Sequence, residues 1–197
     1  GIWEADTQGV PQLLRSDHLL RVNGRDVSFS EDYFKPFANR FTHEIRSIKP
    51  DTIIFIESVP GLGEEQITWD KEDFPQVVNA THWYDDLTLF FKRFFGWFSI
   101  DIRSMKLMLG RSRVRQMFID QIASIKENSD LKMGNCPTLI GEFGIPFDMK
   151  HNHAFISGNF SRQERALDAS YCAIEANLVN STLWNYTSDN TNQRGDQ

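Results

Sequence analysis

Glu142 stands in Thr138-Leu139-Ile140-Gly141-Glu142-Phe143-Gly144, a carboxylate at the end of an apolar run with glycines close on both sides. A carboxylate on so rigid a mount can attack an anomeric carbon, and the glycines would let backbone come close to a ligand. A strand-end Glu paired with a helix cation fits the same position, and on this residue alone the two readings are even. His82-Trp83-Tyr84-Asp85 follows a second apolar run. Side chains alternate along a strand, so His82 and Tyr84 share one face while Trp83 points away. A Tyr84 hydroxyl donating to Glu142 would favour the ionised carboxylate that a nucleophile needs. A core histidine beside an aromatic plug is the commoner use of such a pair. Trp184, next to Asn185 and Tyr186, offers an indole face as the floor of a sugar subsite, although a lone Trp is more often packing.

These side chains need elements to hold them, and the hydrophobic periodicity supplies a set. Phe34, Phe37, Ala38, Phe41, Ile45 and Ile48 recur at helical spacing, with Ser30 as a cap and Lys49-Pro50 as a stop. Thr52-Ile53-Ile54-Phe55-Ile56 then reads as a strand buried on both faces. Gln76 to His82, preceded by Pro75, is a second strand. Val114, Met117, Phe118, Ile122 and Ile125 mark a second amphipathic helix. Pro137 to Gly141 opens a third strand. Ser161-Arg162-Gln163-Glu164 has the spacing of a capping box for a third helix carrying Leu167, Tyr171, Ile174 and Leu178. Asn180 to Trp184 closes the series as a fourth strand. Alternation of helices with buried-type strands predicts an α/β fold with a parallel sheet. Each apolar run ends in a polar or aromatic side chain: Glu57, then His82 and Tyr84, then Glu142, then Trp184. Ligands of parallel α/β folds lie at the carboxyl ends of the strands, which makes this the strongest inference from the residues themselves.

Composition narrows the partners. The chain has 197 residues and 27 Asp+Glu against 21 Lys+Arg, a formal net charge of −6, which argues against nucleic acid. No apolar run approaches the ~20 residues of a membrane-spanning helix. Cys136 and Cys172 are too few for a disulfide framework and read as small buried thiols, which favours a cytoplasmic setting. His151 and His153 share a polar loop with Asp148, but no third ligand follows at a metal-binding spacing, so no metal site is expected. Phe90-Phe91-Lys92-Arg93-Phe94-Phe95-Gly96-Trp97-Phe98 is expected to be core; a wall for a lipid aglycone or a contact with a membrane surface is its sharper reading. Asn79, Asn159, Asn180 and Asn185 open glycosylation sequons, which are discounted because three lie in or beside strands.

The motifs meet in one pattern. Gly141-Glu142-Phe143-Gly144, His82-x-Tyr84 and Trp184 resemble glycoside hydrolase family 5, and several stretches resemble its glucosylceramidase and steryl-glucosidase branch. Those stretches are Gly9-Val10-Pro11 through Leu14-Arg15, Pro50 through Glu57, His82 through Asp85, Pro137 through Pro146, and Asn177 through Tyr186. The resemblance implies a (β/α)₈ TIM barrel that cleaves β-glucosides with retention and without a cofactor. Glu142 matches the nucleophile, and Tyr84 the residue that hydrogen-bonds it. His82 accompanies Tyr84 after the sixth barrel strand, Trp184 lines the sugar site after the eighth, and Glu57 falls at the end of the fifth. The family's acid/base Glu follows an Asn, as Asn-Glu-Pro after the fourth strand, and no such motif occurs here; Glu4 lacks both neighbours.

The expectation is therefore residues 1–29 as the loop after the fourth barrel strand and 30–197 as the fifth to eighth strands with their helices. The implied substrate is a β-glucoside with a lipid aglycone, glucosylceramide or a steryl glucoside, and the isolated chain is expected to be inactive. An endoglycoceramidase or endo-glucanase activity, or a non-catalytic barrel piece that binds sugar or a partner, are the alternatives.

Overall fold

Short β-branched runs and long amphipathic stretches make different demands, and the chain meets them in separate places. A computed structural model describes residues 1–18, 20–57, 68–69 and 76–185. Pro75 and Tyr186 of the sequence reading lie outside these. The chain divides after Thr52 into two compact units, Thr68 going with the first.

In the first unit, the segment before Phe29 forms two hairpins, where the sequence reading expects an irregular loop. Strand β1 (Trp3–Ala5) pairs antiparallel with β2 (Pro11–Leu13), and β3 (Arg21–Val22) with β4 (Arg25–Asp26). Asn23 and Gly24 both take positive φ, 51° and 79°, as the two-residue turn of a tight hairpin requires. A π-helical turn, Phe29–Phe34, leads into α1 (Lys35–Ile48). Its cap is Ser28, whose hydroxyl accepts from the Glu31 amide at 3.3 Å, whereas Ser30 is buried inside the turn. The apolar stripe of α1 is not core: Phe37 is 63% and Phe41 50% exposed, while Ala38 and Thr42 are buried. Periodicity predicts the helix but not that the stripe has a neighbour.

The second unit holds the parallel sheet. Strand β5 (Ile54–Ile56) pairs in parallel with β6 (Val77–Asn79), and β9 (Leu139–Phe143) with β10 (Asn180–Leu183). A parallel bridge from Asn79 to Thr138 joins the two pairs, so the strands run β5, β6, β9, β10 in chain order. Backbone bonds continue the β6–β9 seam past the strands: Gly141 donates to Thr81 at 3.1 Å and Trp83 to Glu142 at 2.9 Å. The α/β class with a parallel sheet is as read from the sequence, but no closed barrel forms among the described residues. Strand β5 also departs from expectation. Ile54 and Ile56 are buried while Phe55 is 57% exposed, because successive side chains point to opposite faces and, among the described residues, only one face of β5 is covered.

Two helices cover that sheet. Helix α3 (Arg111–Lys132) buries Val114, Met117, Phe118, Ile122 and Ile125, the stripe the sequence spacing marks. Helix α5 (Ser161–Ala176) lies beside it and buries Ala166, Ala169, Ser170, Ala173 and Ile174. Tyr171 is 39% exposed, and Leu178, beyond the helix, 89%. Small side chains allow close approach of α5 to α3 and the sheet, so a search for large apolar residues misses this face. The capping box at Ser161 does not form. Phe160 is the N-cap, Ser161 is already helical, and its amide donates to the Asn159 side chain at 3.0 Å.

Between β6 and α3 lies a segment that the sequence reading treats as core. It contains α2 (Asp86–Phe91) and an antiparallel hairpin of β7 (Phe98–Asp101) and β8 (Lys106–Leu109). Phe90 is 77% exposed, Phe91 66% and Trp97 63%, so these rings face outward, while Phe94 packs against Ile145, Met149 and Ala166. Helix α4 (Met149–Ser157) follows β9.

Candidate active site

Parallel strands deliver their carboxyl ends to one side, and four of them end in the side chains singled out above. Glu57 follows β5, His82 and Tyr84 follow β6, Glu142 is the fourth residue of β9, and Trp184 follows β10. The first four meet. The Tyr84 hydroxyl donates to Glu142 Oε2 at 2.8 Å. His82 Nδ1 stands 3.2 Å from the same oxygen, and His82 Nε2 stands 3.0 Å from Glu57 Oε1. The ring makes both bonds at once only with a proton on each nitrogen, so in that state one imidazolium spans two carboxylates.

Position along β6 explains the convergence. His82 and Tyr84 are two residues apart and project to one side, while Trp83 turns to the other and is buried. There Trp83 packs edge-on against Phe118 at 5.2 Å, and its indole N–H donates to Gln121 at 2.9 Å. Gln121 in turn donates to Asp101 of the hairpin at 3.0 Å. One buried indole thus fixes the pleat that aims its two neighbours at Glu142. Beneath them Asn79, also buried, donates to Ser129 at 2.8 Å and accepts from the Thr81 hydroxyl at 2.6 Å. Thr138 donates to Ser129 at 2.7 Å, so β6, α3 and the start of β9 share one satisfied polar network. Burial also puts the Asn79 sequon out of reach of a glycan. Neither the Gln121 bridge nor this network is visible in sequence, because Gln121 lies 38 residues from Trp83 and Ser129 lies 50 residues from Asn79.

The glycines around Glu142 act differently from the expectation. A Cβ on Gly141 would lie 2.3 Å from the Ala80 carbonyl oxygen, and one on Gly144 would lie 2.4 Å from that of Trp184. They bring neighbouring backbone, rather than a ligand, close to β9. Gly141 sets the spacing to β6 and Gly144 the spacing to the β10 end, where the Trp184 amide donates to Phe143 at 2.9 Å. Trp184 is 49% exposed, with an open indole at the neighbouring strand end.

Burial, followed by the hydrogen bond to Glu142 and its charge, pushes the Tyr84 hydroxyl well above the ordinary phenol range. The hydroxyl therefore keeps its proton and remains a donor to Glu142 across neutral and mildly alkaline pH. Tyr84→Phe removes that donor without changing the ring. In the full-length protein any reaction that uses the Glu142 carboxylate is expected to slow about 10- to 100-fold with little change in Tm, measured side by side on purified proteins; the cost of one lost charge-assisted hydrogen bond, ~1.5–3 kcal/mol, sets this scale.

Among the described residues no group of three His, Cys, Asp or Glu gathers as a metal site. Cys136 and Cys172 are free and half-buried. His153 contacts Ser157, and Asp148 pairs with Lys92.

Comparison with known proteins extends the resemblance along the whole chain. A glucosylceramidase of Rhizopus delemar is 32% identical over 207 residues, covering 100% of this chain and 30% of that protein. An ergosteryl-beta-glucosidase of Saccharomyces cerevisiae is 26% identical over 212 residues, covering 100% of this chain and 27% of that protein. Among solved structures, Cryptococcus neoformans sterylglucosidase 1 superposes with a TM-score of 0.83 at 28% identity, over 98% of this chain and 29% of that one. The chain spans about 30% of the length of the curated relatives it matches. No family model matches it.

Proposed function

We propose that this chain carries the nucleophile side of a retaining β-glucosidase site that acts on glycolipids, with Glu142 as nucleophile. The observation that carries the reading is the Glu142 carboxylate at a strand end, held by Tyr84 at 2.8 Å and His82 at 3.2 Å. Its setting is a chain whose relatives bear the names glucosylceramidase and ergosteryl-beta-glucosidase.

In the first step a Glu142 oxygen bonds to the anomeric carbon as the bond to the aglycone oxygen breaks, and that oxygen leaves with a proton from a carboxylic acid. In the second, water attacks the glucosyl–Glu142 ester, gives its proton to the same acid and releases glucose and the free carboxylate. Tyr84 and His82 orient the attacking group, and the half-exposed Trp184 indole offers apolar surface for the sugar ring. No step calls for a cofactor. A glucosylceramide or a steryl glucoside would present a lipid alcohol as the leaving group. The chain's strands would be the fifth to eighth of a (β/α)₈ barrel, with residues 1–29 as the loop after its fourth.

Retention needs the acid ~5–5.5 Å from the nucleophile. Glu57 is engaged by the far side of His82, and no Asn-Glu-Pro, the setting of the acid in the family that the sequence resembles, occurs in residues 1–197, so we assign the acid to a part of the enzyme outside them. Residues 1–197 alone are expected to release no aglycone from an aryl β-glucoside, while the full-length protein does. Turnover by residues 1–197 that survives Glu142→Ala would overturn the assignment of Glu142, and turnover that Glu142→Ala abolishes would overturn only the placement of the acid.

A further inference from the structure

We propose that two arginine-lined clefts beside α2, with the aromatic rings at their rim, dock this unit on an anionic membrane, phospholipid phosphates entering the clefts. The first cleft, about 360 Å³, is lined by Arg93, Arg111, Arg115, Arg162 and Arg165, which face a single carboxylate, Asp168. The second, about 550 Å³, shares Arg93 and Arg162 with the first and adds Lys92, Lys150 and His151 around Asp148. So dense a cationic patch stands out on a chain of net charge −6.

The existing pairings leave it unsatisfied. Asp168 is taken by Arg115 and Asp148 by Lys92. Arg93 lies over the Phe95 ring at 5.0 Å, and Arg165 donates to the Ser161 carbonyl at 3.0 Å. Among the described residues neither Arg111 nor Arg162 has a carboxylate partner. Guanidinium groups bind phosphate oxygens through paired N–H donors, so a cleft walled by five of them selects phosphate over a lone carboxylate.

The rim decides for a membrane rather than a soluble anion. Phe90, Phe91 and Trp97 line the two clefts and are 77%, 66% and 63% exposed. Exposed aromatic rings beside cations match a lipid interface, with rings in the acyl boundary and charges at the headgroups. Among the described residues no helix is long and apolar enough to cross a membrane, so contact through these side chains would be peripheral.

Position adds to this. Helix α2 begins just after Tyr84, and α3 and α5 start from the connections that leave the carboxyl ends of β6 and β9. The clefts, at the first turns of α3 and α5, therefore lie on the same side of the sheet as Glu142. The inference deepens the glycolipid reading and rests on it, since a docked site would meet a substrate whose aglycone lies in the bilayer.

The test is co-sedimentation of the full-length protein with phosphatidylcholine vesicles and with vesicles in which a fifth of the lipid is phosphatidylserine. Binding is expected to be at least ~10-fold tighter to the anionic vesicles and to weaken with added salt. Arg111→Gln with Arg162→Gln should remove that preference, whereas Arg113→Gln, on α3 but outside both clefts, should keep it. Phe90→Ala with Phe91→Ala should weaken binding to both kinds of vesicle. Equal binding to the two, unchanged binding by the double arginine variant, or preference for inorganic phosphate or a phosphoserine peptide over vesicles would overturn the proposal. No glucoside is present, so failure here leaves the hydrolytic reading intact. Loss of aryl-glucoside turnover bears on that reading alone.

Discussion

Glu142→Gly in the full-length protein is expected to lower kcat/KM for an aryl β-glucoside by about 10⁴- to 10⁶-fold, the scale seen when a nucleophile is removed. The physical basis is specific to this position. The carboxylate sits on a strand paired on both sides, to β6 and β10, and its oxygen is shared by a phenol and an imidazole, so little freedom is left to it. Such positioning removes much of the entropic cost of attack, which no solvent carboxylate supplies. The variant also opens a gap of carboxylate size at the anomeric carbon. Added azide should enter it, form a bond from nitrogen to that carbon and expel the aryl oxide. The product should be an α-glucosyl azide, inverted relative to the β-glucoside because only the first displacement has taken place. Rescue with retained configuration would show that Glu142 is not the nucleophile. Glucosidase activity within about 10-fold of wild type would do so as well.

Gly141→Ala should have the next largest effect, for a different reason. Its Cβ would fall 2.3 Å from the Ala80 carbonyl oxygen and 3.2 Å from His82 Cδ2. Neither partner can swing aside: the first is backbone of the adjacent strand segment, and the second belongs to a ring tied at both nitrogens. The β6–β9 seam must open, at about 1–3 kcal/mol or more for overpacking, and it is the seam that brings Tyr84 to Glu142. We expect a Tm lower by several degrees together with a kcat loss of at least ~100-fold, read by calorimetry and by aryl-glucoside turnover. Gly96→Ala is the comparison, since the atoms nearest its Cβ belong to the Phe94 side chain, at 2.9 Å, and not to the backbone of a paired strand. If Gly141→Ala behaves like Gly96→Ala in both measurements, the spacing argument is wrong.

What could be read in advance follows a physical division. Val114, Met117, Phe118, Ile122 and Ile125 reveal their helix because a buried face repeats every 3.6 residues, and they are core as expected. Glu142, His82 and Tyr84 are legible because the end of an apolar strand is where a parallel sheet presents chemistry. The hydrogen bond between Tyr84 and Glu142 spans 58 residues, so only its probability, and not its geometry, was accessible. The misreadings have one cause. Phe37, Phe41, Phe55, Phe90 and Phe91 have apolar side chains in regular or clustered patterns, but exposure depends on whether another element lies over them. Gly141 and Gly144 read as room for a ligand because sequence does not show the carbonyl groups of Ala80 and Trp184 against them. The arginines of the two clefts, scattered from Arg93 to Arg165, carry no local pattern.

Trp83 has one more use. It is 4% exposed and Trp69 3%, whereas Trp3, Trp97 and Trp184 are between 49% and 63% exposed, so a Trp69→Phe background leaves Trp83, with its indole hydrogen-bonded to Gln121, as the one buried fluorophore. Its fluorescence should therefore differ in colour and quenching from theirs. Because it lies between His82 and Tyr84 in the chain, a shift in its emission would signal that the strand end holding the site had come apart, even where far-ultraviolet dichroism remained unchanged. The molecule carries its own optical gauge of whether the reacting groups are still in place.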